Sequence, residues 1–395
     1  MALALGAKPE GGTMMNNQSD RILSFLRVIL WLPIMGIGLA MGPTAAIAQD
    51  ESPSYSTALG IAMESYAYPY PVQYLSLEIE GQQARMAYMD VRASGGSATA
   101  RAVVLLHGKN FYGSYWVNTI KVLTRACLQT HHGPAPLLDP ALSESRVRAT
   151  LQTRPSAGFR VIIPDQIGFG KSTKPDINYS FDLLASNTAR LLDHVKVEKA
   201  AIVGHSMGGM LAVRFVRNYP DRATHLILEN PIGLEDYRFK VPPQPTEKLY
   251  QNELSETDPA KIRAFYRRYV VEWKPEIYER FVEARSRIAL GGEYPRWAKA
   301  TALTYQMIYQ QPVRHEFGLI KAPTLLVIGQ EDRTTIGRGF VSEEVLGTLG
   351  QYPQLGRAAA KDIPNARLVE LERVGHIPHL EAPERFHQAL LDFLK

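Results

Sequence analysis

The 395 residues include one cysteine, Cys127. No disulfide can therefore form within the chain, and stability has to come from an apolar core. Cys127 falls in an apolar helical pattern with no base near it in sequence and reads as buried filler. Dense Lys/Arg blocks with interleaved aromatics are missing too, and the net charge is only +5. Nucleic-acid partners get no support from that pattern. There are no internal repeats, which excludes repeat architectures. Metal-ligand spacing is also wanting: His131-His132 stand in a loop-like stretch with no further ligands at useful distance, so no metal is expected. No apolar run reaches the roughly 20 residues of a spanning helix.

The longest approach to such a run lies near the N-terminus. Arg21 and Arg27 precede an apolar stretch from Val28 to Met41, broken by Pro33 and Gly36, and Ala46-Ile47-Ala48 follows before Gln49-Asp50-Glu51. A basic region, a short apolar core and small residues at −3 and −1 make residues 1–48 an expected secretory signal peptide, cleaved after Ala48. The mature chain would be exported, periplasmic or secreted, with no stable membrane insertion. Met14 and Met15 suggest that the start site is over-extended.

The remainder has an ordinary soluble composition, 45% apolar and 21% charged. Tyr74–Ile79 and Arg85–Val91 alternate around Glu80-Gly81-Gln82, which predicts a β-hairpin. Ala102–Leu106, Phe159–Ile163, Ala200–Val203, Thr224–Glu229, Pro323–Ile328 and Arg367–Leu371 are strand candidates, several of them apolar throughout, as strands covered on both faces are. Helical patterns separate them: one through Trp116, Ile120 and Leu123, one over Leu183–Val195, and a last one over Pro383–Leu394. The alternation predicts an α/β fold with a mostly parallel twisted sheet flanked by helices. Residues 49–232 and 319–395 form its two parts. Residues 129–158 hold four prolines and no period, and read as an inserted loop. Residues 233–318 lose strand character and become Tyr- and Arg-rich helices, predicted to form an inserted helical cap at the C-terminal edge of the sheet.

Gly204-His205-Ser206-Met207-Gly208 lies between a strand and a helix, where a G-x-S-x-G sequence gives a sharp turn that exposes the serine. A serine hydroxyl needs a base to become nucleophilic, and the base needs an orienting carboxylate. Asp332 follows the 323–328 strand and His376 follows the last one, in the order Ser, Asp, His. Ser206 is therefore the expected nucleophile, His376 the base and later acid, and Asp332 the orienting acid. Glu229 is the runner-up acid and Glu331 a weaker one. The oxyanion donors are expected from the backbone N–H of Met207 and of Lys109, with Asn110 the next candidate. His107, His205 and His379 read as structural.

These residues, with Asp165–Ser172, resemble the α/β-hydrolase superfamily from about Tyr74 to the C-terminus. The likeness is nearest to the capped branch of epoxide hydrolases, haloalkane dehalogenases, lactonases, carbon–carbon bond hydrolases and cofactor-free haloperoxidases. It implies the same triad and oxyanion residues, no cofactor, and a structural turn at Asp165 and Ser172. Ser206 stands where epoxide hydrolases and dehalogenases carry aspartate. Lys109-Asn110-Phe111 replace the Gly-rich loop usual in carbon–carbon hydrolases, which counts against that activity.

The expected function is hydrolysis of a small-molecule carboxylic ester or lactone through an acyl-serine intermediate. Arg267 or Arg268 is a candidate to face the substrate alongside cap aromatics. Alternatives are a small-molecule binding protein on a hydrolase scaffold, or a carbon–carbon hydrolase, perhydrolase or acyltransferase using the same triad.

Overall fold

Apolar runs become the inner strands of a single sheet in the computed structural model, which describes residues 55–93, 101–125 and 158–395. The expected leader, Cys127, His131-His132 and the 129–158 insertion up to residue 157 lie outside the described residues. The strands are β1 (Val72–Ile79), β2 (Gln82–Val91), β3 (Ala102–Leu106), β4 (Arg160–Pro164), β5 (Ala200–His205), β6 (Ala223–Glu229), β7 (Thr324–Gly329) and β8 (Ala366–Leu371). Their order is β1-β2-β4-β3-β5-β6-β7-β8. The pairs β1/β2 and β2/β4 are antiparallel and the others parallel. Glu80 (φ 50°) and Gly81 (φ 73°) close the β1–β2 hairpin, both in the left-handed region that a two-residue turn favours.

The helices are α1 (Val117–Arg125), α2 (Phe181–His194), α3 (Met207–Asn218), α4 (Thr246–Ser255), α5 (Pro259–Arg267), α6 (Pro275–Ala289), α7 (Tyr294–Gln310), α8 (Tyr352–Asp362) and α9 (Pro383–Phe393), with shorter turns between them. α2 starts two residues before the apolar pattern does, because Ser180 Oγ accepts the Leu183 N–H at 3.0 Å and caps it. Among the described residues no helix is long and apolar enough to cross a membrane.

Successive strand side chains point to opposite faces, and here both faces are covered. Val104, Ile162, Ile202 and Leu226 pack with Leu211 and Phe215 of α3 and Tyr352 of α8. Val103, Val161, Val203 and Ile227 pack with Ile120 and Leu123 of α1 and with Phe386 and Leu390 of α9. Each such side chain, fully buried, contributes about 1.5–3 kcal/mol. Two of these layers hold the sheet without a disulfide.

The order reverses at β3, which has β4 on one side and β5 on the other. Loops leaving β3 and β5 therefore diverge at their C-terminal ends and leave a crevice, the place where ligands bind in such sheets. Helices α4–α7 belong to the β6–β7 connection and reach these loops. Tyr266 at the end of α5 donates to the Asn110 carbonyl at 3.0 Å, and Thr301 of α7 accepts from Lys109 Nζ at 2.9 Å.

Candidate active site

Ser206 is the first residue past β5 and caps α3 with φ 56° and ψ −121°. That conformation is strained for a residue with a side chain and persists because its surroundings enforce it. A Cβ on Gly204 would meet the Gly208 carbonyl oxygen at 2.2 Å, and one on Gly208 would meet the Leu106 carbonyl oxygen at 2.3 Å. Only glycine lets strand, turn and helix approach this closely. The Ser206 N–H donates to the Glu229 carbonyl at 3.2 Å, which pins the turn to β6. The first N–H groups of α3, beginning with Met207, have no partner within the helix and add its positive end to the site.

The loop after β3 makes a tight turn in which the Phe111 N–H donates to the Gly108 carbonyl at 3.1 Å. Lys109 and Asn110 are the central residues, whose N–H groups such a turn does not use. Gly108 lies against the nucleophile, for a Cβ there would stand 3.1 Å from the Ser206 Cβ. This places the Lys109 N–H in the loop beside Ser206.

Asp332 and His376, both buried, meet at 2.7 Å between Oδ2 and Nδ1. An Nδ1–H donated to the carboxylate leaves Nε2 with its lone pair, the tautomer a general base needs. Asp332 is itself held: Asn230 Nδ2 donates to Oδ2 at 2.7 Å and the Thr334 N–H to Oδ1 at 2.8 Å. The His376 N–H donates to the Tyr269 carbonyl at 2.7 Å, and the Tyr269 ring lies 5.0 Å from the imidazole, centre to centre. Glu381 fixes the loop on either side of His376 by accepting the Gly375 and Ile377 N–H groups at 3.1 and 3.0 Å. Burial raises the Glu381 pKa above the usual carboxylate range despite these bonds.

His205 links both sides of the site. Its Nε2 lies 2.8 Å from the His376 carbonyl and its Nδ1 lies 3.0 Å from the Tyr115 hydroxyl, which in turn accepts the Gly108 N–H at 3.1 Å. Burial, reinforced by His376 and His379, holds the His205 pKa well below the ordinary value. The structure therefore keeps it neutral, donating from Nε2 and accepting at Nδ1. His107 sits under the β3 loop, where its Nε2 accepts the Gln166 N–H at 3.1 Å. Asp165 ties the neighbouring turn together, accepting from the Gly113 N–H at 2.6 Å, the Lys171 N–H at 2.7 Å and the Tyr68 hydroxyl at 2.6 Å.

The runner-up acid has a different partner. Glu229 is fully buried, but it accepts the backbone N–H of His379 at 2.7 Å and lies 2.9 Å from its Nδ1, not from His376. Glu331 is exposed.

A cavity of about 380 Å³ lies beside the site. Ser206 and His376 do not line it; Lys109, Asn110 and Tyr269 do, and they join it to the triad. Asn110 Nδ2 donates to the Tyr269 hydroxyl at 2.8 Å. Arg268 lines the cavity, whereas Arg267 lies over the Trp273 ring at 5.6 Å. Burial lowers the Lys109 ammonium to about 8.

Sequence reading missed Asn230 and Tyr269. Asn230-Pro231 directly after a strand, with Asn230 at φ 35°, is a turn signal that marks the first. Tyr269 is one aromatic among many in its segment and nothing local distinguishes it.

A family model described as alpha/beta hydrolase fold matches residues 101–383. A crystal structure of a "probable hydrolytic enzyme" from Pseudomonas aeruginosa is similar at 40% identity and TM-score 0.75, covering 87% of this chain and 100% of that one. A 2-hydroxy-6-oxononadienedioate/2-hydroxy-6-oxononatrienedioate hydrolase from Burkholderia vietnamiensis is 26% identical over 326 residues, 82% of this chain and 95% of the relative. An enol-lactonase from Burkholderia xenovorans shares the fold at 20% identity and TM-score 0.57, over 81% of this chain and 99% of that one.

Proposed function

The chain belongs to the alpha/beta hydrolase fold family, and from that premise we propose that it is a serine hydrolase cleaving a carboxylic ester or lactone through an acyl-Ser206 intermediate. The observation that carries the reading is the buried 2.7 Å contact of Asp332 with His376, at the same end of the sheet as the strained Ser206 turn. His376 Nε2 takes the Ser206 proton as Oγ attacks the carbonyl carbon. Asp332 holds the imidazole and balances the positive charge it acquires. The N–H groups of Met207 and Lys109 receive the oxyanion, where the loss of one donor typically costs about 100- to 1000-fold. His376 returns the proton to the leaving alkoxide. Water then attacks the acyl carbon with His376 as base, and Ser206 leaves.

Cleavage of a carbon–carbon bond beside a ketone is a second reading. It uses the same nucleophile and base, and the name of the Burkholderia vietnamiensis relative favours it. It needs a leaving carbon able to carry the bonding electron pair. Export after cleavage at Ala48 belongs to the proposal for either chemistry, and N-terminal sequencing of secreted protein checks it.

The deciding experiment compares protein starting at Gln49 with its Ser206→Ala variant on p-nitrophenyl esters, lactones and a 2-hydroxy-6-oxodienoate. Ester or lactone turnover that vanishes in the variant supports the first reading. Turnover confined to the dienoate replaces it with the second. Equal rates in both proteins remove Ser206 from the chemistry.

A further inference from the structure

The cavity beside the triad has a charge imbalance. Five cationic side chains line it, Lys109, Arg268, Arg285, Arg333 and Arg338, against two carboxylates, Glu253 and Glu256. Glu256 is partly drawn off by Lys261, 3.9 Å away. Arg268, Arg333 and Arg338 are exposed and belong to the open side. Among the described residues they form no ion pair. Cations gathered around one concave opening attract anions from solution.

The inner end is more specific. Arg285 is only 8% exposed. It spends Nη2 on Glu253 at 2.6 Å, while its Nε is buried without a hydrogen-bond partner. Buried donors are nearly always paired, so Arg285, which lines the cavity between the Phe265 and Trp297 rings, keeps unspent hydrogen-bonding capacity at this inner end. Lys109 Nζ donates to the Thr301 carbonyl at 2.9 Å, and an ammonium carries two further donors. Both residues also line a smaller adjoining cavity of about 40 Å³. Burial is the main cause that disfavours the charged forms of Lys109 and Arg268; Arg285 adds to it at Lys109 against Glu253, and Arg338 and Arg285 add to it at Arg268 against Tyr269 and Glu256. Lys109 spans the two regions, with its N–H in the turn beside Ser206 and its ammonium in the cavity.

We propose that the substrate carries a carboxylate, held in this cavity by Lys109 Nζ and Arg285, one lysine side chain away from the carbonyl that Ser206 attacks. A carboxylate can accept from a guanidinium and an ammonium at once, and Arg285 already holds one carboxylate, that of Glu253, through Nη2 alone. The catalytic half of this inference rests on the serine-hydrolase reading; the binding half does not.

The test compares p-nitrophenyl hydrogen glutarate with p-nitrophenyl valerate, and 3-acetoxybenzoate with phenyl acetate, which moves the carboxylate to the leaving group. Glutarate and inorganic phosphate are titrated calorimetrically into Ser206→Ala protein. In at least one pair kcat/KM is expected to be tenfold or more higher for the charged ester. Glutarate binds, phosphate does not, and binding weakens with salt. Arg285→Gln and Lys109→Met each lower the charged-to-neutral ratio at least tenfold. Arg285→Gln strips Glu253 of its partner and endangers folding, so the double variant Arg268→Gln/Arg333→Gln, on exposed side chains, is measured beside it and lowers the ratio at least threefold. Ratios of one or below in both pairs, without glutarate binding, overturn the carboxylate site and leave ester hydrolysis standing. Glutarate binding without turnover of any ester overturns the ester-hydrolase reading and leaves the site standing. Phosphate binding without glutarate binding overturns the carboxylate assignment.

Discussion

Glu229 ends one strand, Asp332 lies in the loop after its neighbour, and both are buried acids, so residue type and position alone do not separate them. Their partners do. Asp332 meets His376 at 2.7 Å, whereas Glu229 meets His379, whose ring stacks on Trp116 at 4.1 Å. Asp332→Asn should therefore lower kcat by about 10³- to 10⁴-fold through loss of the tautomer and of charge balance. Glu229→Gln should leave kcat within about threefold and instead cost about 1–3 kcal/mol of stability, since a buried histidine loses an ionic acceptor. Steady-state kinetics and urea titration of both variants check this, and a collapse of kcat in Glu229→Gln would reverse the assignment. Ser206, Asp332 and His376 are legible in sequence because each lies in the loop or turn just past a strand signal, in the order Ser, Asp, His. Asn230 supports Asp332 from 102 positions away, and Tyr269 covers His376 from the inserted helices. Contacts of that span leave no local trace, and neither does the cavity.

Strand β5, the Ser206 turn and helix α3 form one unit whose closeness depends on missing side chains. A Cβ on Gly208 would stand 2.3 Å from the Leu106 carbonyl oxygen and 2.7 Å from that of His107. Both neighbours are backbone, so Gly208→Ala has to push α3 away from β3. Overpacking of this kind costs about 1–3 kcal/mol or more. The shift also misaligns Met207 with the Lys109 turn, and a displacement of about 1 Å at a reacting centre can cost about 100-fold in rate. Gly292→Ala is the control: it is exposed with nothing within 4 Å of an added Cβ, so it should change stability by less than about 0.5 kcal/mol. Denaturant titration and kcat of both variants decide the matter, and two indistinguishable proteins would show that the unit yields without cost. The inner strands are readable as elements because their apolar runs have the length and composition of covered strands, and the β1–β2 hairpin because it alternates around a turn. Helix α8 is hidden by Pro353 and Gly356. The structure puts Pro353 in the first turn, where a helix needs no N–H, and packs Gly356 on Ile328, 2.9 Å from where its Cβ would be.

Across the whole molecule, the fold holds several histidines neutral, and this sets its response to acid. Burial lowers the pKa of His107, of His205 and of His387, the last to about 4. Unfolded, each would titrate near 6.5. As pH falls from 6.5 toward 4 the unfolded chain takes up protons that the folded chain refuses, so stability is lost through that window. Each histidine contributes a slope of up to about 1.4 kcal/mol per pH unit. Glu235 and Glu381 act with the opposite sign, because burial raises their pKa and the folded state binds protons first. The net slope mixes both groups, so a single substitution gives the cleaner test. His387 lies 3.0 Å from the Thr119 hydroxyl, beneath α1, and is remote from the serine turn in sequence. His387→Asn should lose stability more slowly than the native protein between pH 6.5 and 4.5, by close to one proton's slope, and the two should run parallel above pH 7.5. Urea titrations at pH 7.5, 6.0 and 5.0 measure this directly. Parallel curves throughout would mean that His387 protonates equally well in the folded and unfolded chains, and that acid lability arises elsewhere in the core.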